Sequence, residues 1–203
     1  MELEILPVSG QGANCYLIKT KNAALVIDPF EAYPEIIDFF EKNSAKEKII
    51  LLTHRHFDHI LGVFKLHELF GAKIIIGEMD EVGLRESEES LSSWVGLEQV
   101  PIEADITVSD GDVLNLGGTE FKVLHTPGHT VGSVCYIAED CIFSGDTLFR
   151  GTVGRTDLPT GSNESLKNSI SKLKTLDKNY KVYPGHGSPT TLEDEIKNNP
   201  YMK

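Results

Sequence analysis

Apolar runs separated by polar turn residues make up the first part of the chain. "LEILPV", "NCYLIKT" and "AALVIDP" are short and rich in Leu, Ile and Val, and "KTKNA" separates the second from the third. Runs of this length and composition are typical of strands, and the polar residues between them are typical of turns. The pattern therefore predicts an antiparallel meander.

The pattern then changes to helices alternating with buried strands. "AYPEIIDFFEKN" has Pro34 near a helix start and places Ile36, Ile37 and Phe40 on one helix face. "KIILLT" and "AKIIIG" are continuous apolar runs, which are typical of strands covered on both faces. Between them, "HILGVFKLHELFG" predicts one helix ended by Gly71. Strand, helix and strand in this order indicate an α/β layer.

Short strands return at Asp105. "DITVSDGDVLNLGGTEFKVLH" contains the turn signals DG and GG, and "GSVCYIAEDCIFSGD" has a turn around Glu139. These strands predict a second sheet. The acidic and weakly periodic segment 78–102, which carries the one tryptophan, is interpreted as a solvated helix plus connection, and no role is assigned to it.

A helix and a strand complete the predicted elements. "SNESLKNSISKLKTL" offers Ser162 or Asn163 as the N-cap and has Leu166, Ile170 and Leu173 at helical spacing, before the strand "YKVYPG". Two β-rich halves that each carry helices indicate an α+β fold, a sandwich of two sheets with helices on the outside. A chain of 203 residues can bury one core, so we expect a single domain over residues 1–203.

Charge and cysteine content narrow the classes of partner. The formal charge is −12, from 31 acidic against 19 basic residues, and no Lys/Arg-rich run occurs, so nucleic acid is an unexpected substrate. The start "MELEILPVSG" lacks a signal-peptide pattern and no stretch is long and apolar enough for a membrane span, so we expect a cytoplasmic protein without membrane contact. Cys15, Cys135 and Cys141 are interpreted as reduced, buried thiols.

Polar residues that can bind metals follow the buried strand "KIILLT". His54, His56, Asp58 and His59 occupy four of six consecutive positions. Alternating residues in an extended segment point the same way, so His54 and His56 can bind one ion together, whereas Asp58 and His59 begin the helix and are aimed differently. Burying several unpaired polar groups would cost kcal/mol each, so this stretch predicts a metal site, with the four groups divided between two ions.

The same arrangement recurs later in the chain, where an apolar strand is followed by a glycine-containing turn with one candidate ligand. "FKVLHTPGHT" presents His129, "CIFSGDTLF" presents Asp146 and "KVYPGHG" presents His186. Five histidines and two aspartates fit two divalent ions, and a carboxylate such as Asp146 can bridge them. For His67 we favour a surface position; for His125 a supporting contact to a ligand stays open.

These motifs resemble a known family. "THRHFDH", "TPGHT", "GDTLF" and "PGHG" are similar, in this order, to the motifs of the metallo-β-lactamase superfamily in its glyoxalase II-like branch. The resemblance implies an αβ/βα sandwich of two mixed sheets with a binuclear site at the sheet edge. It implies that one ion binds His54, His56 and His129, that the other binds Asp58, His59 and His186, and that Asp146 binds both. Asp28, in "LVIDP", would support the ligand loop.

The resemblance implies a metal-dependent hydrolase. A hydroxide between two cations would attack a small acyl thioester, with Asp58 as the catalytic residue that orients it. Zinc is the first expectation, and iron or manganese are alternatives. The chain ends soon after His186, before the C-terminal helical region that helps glyoxalase II proper to hold glutathione, so a glutathione thioester is one candidate among small-molecule substrates.

Other activities of the superfamily are less favoured by the sequence. Persulfide dioxygenases resemble the chain at "THRHFDH" and "GRTD" but would bind one iron through His54, His129 and Asp146; this is the alternative function. Cys141 is out of place for the cysteine ligand of secreted zinc β-lactamases. Arg150 and Arg155 could meet an anionic substrate, or Arg155 could pair with Asp157. The sequence leaves the oligomeric state open.

Overall fold

Fourteen strands and five α-helices are present in the described part of the chain. The computed structural model describes residues 1–6, 12–44 and 46–203. Pro7 and Val8, the end of the first predicted strand, lie outside the described residues. The strands are β1 (Glu2–Leu6), β2 (Cys15–Lys19), β3 (Ala23–Ile27), β4 (Glu47–Leu51), β5 (Lys73–Gly77), β6 (Ile106–Val108), β7 (Val113–Leu116), β8 (Thr119–His125), β9 (Val134–Ala138), β10 (Cys141–Gly145), β11 (Leu148–Phe149), β12 (Thr152–Val153), β13 (Lys181–Pro184) and β14 (Thr190–Thr191). The helices are α1 (Pro34–Lys42), α2 (Phe57–Ile60), α3 (Val63–Phe70), α4 (Asn163–Lys174) and α5 (Leu192–Asn198).

The first sheet has the order β1-β2-β3-β4-β5-β6. Strands β1 to β3 pair antiparallel, which confirms the predicted meander, and β3 to β6 pair parallel. The prediction that the second sheet begins at Asp105 is wrong for the first strand after it. Ile106 pairs with Ile75, because the 78–105 connection returns the chain to the open edge of β5.

The second sheet has the order β14-β13-β10-β9-β8-β7, and β11 and β12 form a separate hairpin. Strands β8 and β10 both run antiparallel to β9, and β13 runs parallel to β10. Strands β8, β10 and β13 therefore all end at the same edge. Three of the predicted ligand turns follow these strands, and the fold brings them side by side.

The side chains of β4 alternate between the two faces of the first sheet, and both faces are covered, which explains why its apolar run is continuous. Ile49 and Leu51 pack between the two sheets, against residues such as Tyr136 and Phe143 of the second sheet. Ile50 packs on the other face, in the cluster that includes α1 and α3. A strand covered on both faces needs apolar residues at every position, and the sandwich with outer helices is confirmed.

The helices cover the outer faces of the two sheets. Ile36 and Phe40 of α1 are buried on the first sheet as predicted, while Ile37 is only half-buried. Leu166, Ile170 and Leu173 of α4 are buried on the second sheet. The N-cap of α4 is Ser162, whose side chain accepts a hydrogen bond from the backbone N–H of Ser165; this resolves the choice between Ser162 and Asn163.

One helix predicted after β4 is two helices in the structure. Helix α2 ends at Ile60 and α3 begins at Val63, and Gly71 ends α3 in the left-handed conformation as predicted. The break follows from tertiary contact, because Gly62 lies against the backbone of residues 29–31: its N–H donates to Pro29, and a β-carbon there would stand 2.7 Å from the Pro29 carbonyl oxygen.

The segment 78–102 differs from its predicted form. Instead of a solvated helix it contains two 3₁₀ helices, Glu78–Leu84 and Ser93–Val95, joined by turns. Several of its side chains are buried, including those of Asp80, Leu84 and Ser92. The weak periodicity of the segment reflects turns that pack inward at irregular intervals.

Two further features of the described residues are the state of the cysteines and the character of the helices. Cys15, Cys135 and Cys141 are all free and buried, as predicted. Among the described residues, none of the helices has the length and apolar content that crossing a bilayer requires.

Candidate metal centre

All seven predicted ligands lie at one edge of the sandwich. Their candidate ligand atoms fall into three groups, each with its atoms within 4.8 Å of one another. The groups are His54, His56 and His129; His54, His59 and Asp146; and Asp58, His59 and His186. The loop after β4 thus meets the turns after β8, β10 and β13.

The first group, which we call the three-histidine group, contains His54, His56 and His129. Nδ1 of His56 lies 2.9 Å from Nε2 of His129. Nε2 of His129 lies 3.4 Å from Oδ2 of Asp146. The three rings surround one small volume, with centroids of neighbouring rings 4.6 to 4.9 Å apart. Three imidazole nitrogens in this arrangement can bind one ion.

The second group, which we call the Asp58 group, contains Asp58, His59 and His186. Oδ2 of Asp58 lies 3.0 Å from Nε2 of His186 and 3.7 Å from Nε2 of His59. Asp146 lies between the two groups, because its Oδ1 is 3.4 Å from Nε2 of His59 while its Oδ2 faces His129 and His186. A carboxylate in this position can contact two ions.

Asp28 holds the ligand loop after β4 on the side away from the Nε2 atoms. Its carboxylate accepts hydrogen bonds from the backbone N–H (2.8 Å) and hydroxyl (2.7 Å) of Thr53, and it lies 2.9 Å from Nδ1 of His59. The Thr53 hydroxyl oxygen lies 3.2 Å from Nδ1 of His54. Nδ1 of His54 faces the Thr53 hydroxyl and Nδ1 of His59 lies beside the Asp28 carboxylate, so the Nε2 atoms of both rings are directed into the centre.

His129 is held in the same way by a different loop. Its Nδ1 lies 2.8 Å from the carbonyl oxygen of Arg155, so the N–H at Nδ1 donates there and leaves Nε2 for an ion. The side chain of Arg155 is exposed and pairs with Asp157 at 2.7 and 2.8 Å, as the sequence alternative suggested. Arg150 is exposed as well.

The electrostatics of the centre favour bound cations. Burial lowers the pKa of His54, and it lowers that of His56 to about 3, so both rings are neutral at pH 7, the form that binds metals. Burial alone would also lower the pKa of His59, but the carboxylates of Asp28, Asp58 and Asp146 raise it instead. The carboxylates therefore stabilise positive charge at the position of His59.

The donor set fits divalent ions. Nε2 of His54, Nε2 of His59 and Oδ1 of Asp146 are buried and have no hydrogen-bond partner within the described residues. Leaving buried polar atoms without partners is costly, and imidazole nitrogens with carboxylate oxygens are ligands suited to zinc, iron and manganese. Ions at these positions would satisfy all three atoms.

The centre opens to solvent on one side. The side chain of His186 is 41% exposed and that of Asp58 is 16% exposed, while the side chain of His59 is fully buried. The ring of Phe149 packs edge-on against His186, with centroids 6.2 Å apart. The side of the centre that carries His186 is therefore the one open to solvent.

Two histidines lie outside the candidate groups. Nε2 of His125 lies 2.9 Å from the carbonyl oxygen of Val131, so its ring contacts the turn after His129 rather than a ligand side chain. Nδ1 of His67 lies 3.0 Å from the carbonyl oxygen of Ala72, beyond the end of α3, and the residue is half-buried.

Two supporting residues were missed in the sequence. Asn14 donates from its side-chain amide to the carbonyl oxygens of Pro184 (3.0 Å) and Gly187 (2.8 Å), which flank His186. Asp80 is fully buried and contacts both segments that carry the three-histidine group. No local pattern distinguishes either residue from other polar residues, because their partners are distant in the chain.

The fold and the centre define a class of protein. The chain belongs to the metallo-beta-lactamase superfamily, whose family model matches residues 8–186. The chain is 37% identical to hydroxyacylglutathione hydrolase GloC of Haemophilus influenzae, with 100% of this chain and 98% of that protein covered.

Two solved structures are similar over nearly their whole length. The B3 metallo-beta-lactamase BLEG-1 has a TM-score of 0.91 at 31% identity, with 100% of both chains covered. The di-iron-bound form of TTHA1623 has a TM-score of 0.86 at 32% identity, with 98% of this chain and 99% of that chain covered.

Proposed function

We propose that the protein is a binuclear metal-dependent hydrolase that acts on a small acyl thioester. The observation that carries the proposal is the presence of the Asp58 group beside the three-histidine group, with Asp146 in contact with both. The similarity to GloC supports a hydroxyacylglutathione as a candidate substrate.

The proposed ligand sets follow the geometry. His54, His56 and His129 would hold one ion, and Asp58, His59 and His186 would hold the other. Asp146 would contribute to both sites. Zinc is the first candidate and iron or manganese are alternatives, since imidazole and carboxylate accept all three; the di-iron form of TTHA1623 supports iron.

The metals, when bound, lower the pKa of a water ligand from 15.7 to roughly 7 and polarise the substrate carbonyl. Asp58 is the proposed catalytic residue, as the acceptor that orients this water. Burial would raise the pKa of Asp58, but the charge of His59 and the hydrogen bond from His186 lower it. Cations bound at the centre would replace the charge on His59 and likewise favour the ionised carboxylate. An ionised carboxylate can accept a hydrogen bond from the attacking water.

The leaving group explains the choice of a thioester. An ordinary thiol has a pKa of about 8.5, so a thiolate departs with little help from a general acid. His186 contacts Asp58 on the open side of the centre but needs no acid role in this scheme. We further propose one domain over residues 1–203 and a small-molecule substrate; cytoplasmic location stays a prediction.

The test combines metal content with thioester hydrolysis. Protein purified without a metal-affinity tag is expected to contain two ions per chain and to hydrolyse a hydroxyacylglutathione. Asp146→Ala should lose activity and bound metal, whereas Asp58→Asn should lose activity with a smaller loss of metal. An Asp146→Ala variant as active as the wild type would overturn the proposal.

Two rival activities are separated by the same preparation. A persulfide dioxygenase would contain one iron bound through His54, His129 and Asp146 and would consume oxygen with a persulfide. The similarity to BLEG-1 supports a second candidate, β-lactam hydrolysis, which a chromogenic cephalosporin reports directly. Hydrolysis of the cephalosporin faster than of the thioester would favour that candidate.

A further inference from the structure

Asp80 is a buried carboxylate that the proposed reaction does not use. It lies in the 3₁₀ helix Glu78–Leu84, directly after β5, and its residue is 0% exposed. It accepts hydrogen bonds from the backbone N–H of Arg55 (3.1 Å), the hydroxyl of Thr130 (2.5 Å) and the backbone N–H of Gly132 (3.0 Å). Every one of these partners is a donor.

Two of the three partners of this carboxylate, Arg55 and Thr130, are adjacent to proposed metal-binding residues. Arg55 stands between His54 and His56, and Thr130 directly follows His129. One carboxylate thus joins the two chain segments that supply the whole three-histidine group. Two of its hydrogen bonds come from residues next to proposed ligands, so they set where the ligand-bearing backbone lies.

The side chain of Arg55 completes the connection. It is 3% exposed, with Nε 3.7 Å from Oδ1 of Asp80 and Nη1 2.9 Å from Oε2 of Glu89. Nη2 donates to the hydroxyl of Thr160 at 3.2 Å. A β-carbon on Gly83 would overlap the side chain of Arg55, so the segment 78–84 packs directly on it. A buried guanidinium with these partners fixes the segment against the ligand loop.

Asp28 is a second buried carboxylate that contacts the ligand loop, and its contacts differ from those of Asp80. It contacts Thr53 and the ring of His59, a member of the Asp58 group. The described contacts of Asp80 lie instead on residues 55, 130 and 132. Asp80 therefore contacts only the segments of the three-histidine group, whereas Asp28 contacts His59 directly and His54 through Thr53.

We propose that Asp80, together with Arg55, is the positioning residue for the ion bound by His54, His56 and His129. The inference rests on the proposed binuclear centre and deepens it. Loss of the Asp80 carboxylate should selectively lower the affinity for the ion of the three-histidine group, because the Asp58 group keeps its contact with Asp28.

The test is the metal affinity of Asp80→Asn, measured by equilibrium dialysis against buffered Co²⁺. Both carboxylate oxygens of Asp80 accept hydrogen bonds, but an asparagine has only one acceptor oxygen. In either orientation its NH₂ group would therefore face a donor. We expect the affinity for one of the two ions to fall about 10- to 100-fold, the usual effect of losing a partner behind the ligands. At intermediate free Co²⁺ the variant should bind one ion where the wild type binds two, and its visible spectrum should lose one set of bands.

Two backgrounds identify which ion is affected. In His186→Ala the Asp58 group is incomplete, so the remaining ion is the one bound by the three-histidine group. Adding Asp80→Asn should lower the Co²⁺ affinity of that site. In His56→Ala the three-histidine group is incomplete, and adding Asp80→Asn should leave the remaining ion unchanged. A purely structural role would lower both affinities alike.

Glu195→Gln is the matched control. Glu195 is a buried carboxylate that accepts from the backbone N–H of Gly151 and from the side chains of Thr190 and Asn199, none of them beside a predicted ligand. Glu195→Gln should lower thermal stability without changing either Co²⁺ affinity. If Asp80→Asn does not fold, Thr130→Val can replace it, because it removes one donor to Asp80. Thr130→Val should lower the affinity for the same ion, but by a smaller factor.

The outcomes separate this proposal from the proposed function. Two unchanged affinities in Asp80→Asn, or equal loss of both, overturn the role of Asp80 and leave the binuclear centre intact. If the wild type binds one ion, the binuclear function is contradicted. The role of Asp80 then holds only if binding of that ion requires His56 and its affinity falls in Asp80→Asn. A wild type that binds none overturns both.

Discussion

Gly185 packs directly against the carboxylate of Asp146. A β-carbon at position 185 would overlap Oδ1 of Asp146 and stand 2.7 Å from Cε1 of His59. The turn that carries His186 therefore reaches the centre because residue 185 has no side chain.

Gly185→Ala is expected to reduce metal content and activity together. The added methyl group must displace Asp146 or the turn, and either shift separates the two ligand groups. We expect at least a tenfold loss of metal affinity, on the scale of lost supporting contacts. Ser188→Ala, at an exposed position of the same turn, is the control and should bind metal normally. An alanine variant with full metal content would contradict the close approach.

Asn14→Asp should weaken the ion of the Asp58 group. The amide of Asn14 donates to the carbonyl oxygens of Pro184 and Gly187, and an aspartate would place acceptors against both. The turn around His186 should loosen, with a loss of metal affinity of about 10- to 100-fold for that ion. Asn168→Asp, an exposed change of the same charge, should have no such effect. Equal Co²⁺ titrations for the two variants would count against this role of Asn14.

The three thiols should react with a disulfide reagent only after unfolding. Burial raises the pKa of Cys135 to about 11 and that of Cys141 to about 12, and it also raises the pKa of Cys15. At pH 8 the thiolate fraction of a group with pKa 11 is on the order of 10⁻³, and the sulfur atoms are buried. We expect slow release of the chromophore in buffer and rapid reaction of three thiols in denaturant; a fast-reacting thiol in buffer would show that one of these sites is open.

Ser162→Ala should destabilise the protein by about 0.5–2 kcal/mol through loss of the N-cap of α4. The Ser162 hydroxyl oxygen accepts from the backbone N–H of Ser165 at 3.2 Å. Its own N–H donates to the carbonyl oxygen of Gly128, beside His129, and this backbone contact survives the substitution. Urea unfolding measures the change, and Ser171→Ala, on an exposed face of α4, is the control. Equal midpoints for the two variants would show that the cap contributes little.

The sequence predicts the parts of the fold that depend on local periodicity. The apolar run through Ile49, Ile50 and Leu51 predicts a strand covered on both faces, because every position must be apolar when sheets and helices pack on it. It does not predict the break at Gly62, which depends on the backbone of Pro29 and Glu31 after the chain has folded.

The candidate site shows the same division. His54, His56 and the other predicted ligands stand out because several polar groups follow apolar strands, and each of the seven lies in one of the ligand groups. Asp80 does not stand out, since it lies among other acidic residues in "EMDEVGLRESEE". Only the fold shows that it is the one beside Arg55 and Thr130.

The proposed ligands come from both halves of the sandwich. Four of the seven follow β4 of the first sheet, and three follow β8, β10 and β13 of the second. Ions bound by both sets would therefore join the two halves much as a disulfide joins two segments, and neither half alone would supply a complete pair of sites. Because His186 lies late in the chain, full metal loading would occur only after both sheets have formed. Metal content would then report completed folding, and limited proteolysis of the metal-free protein should cleave first in the loops that carry the proposed ligands.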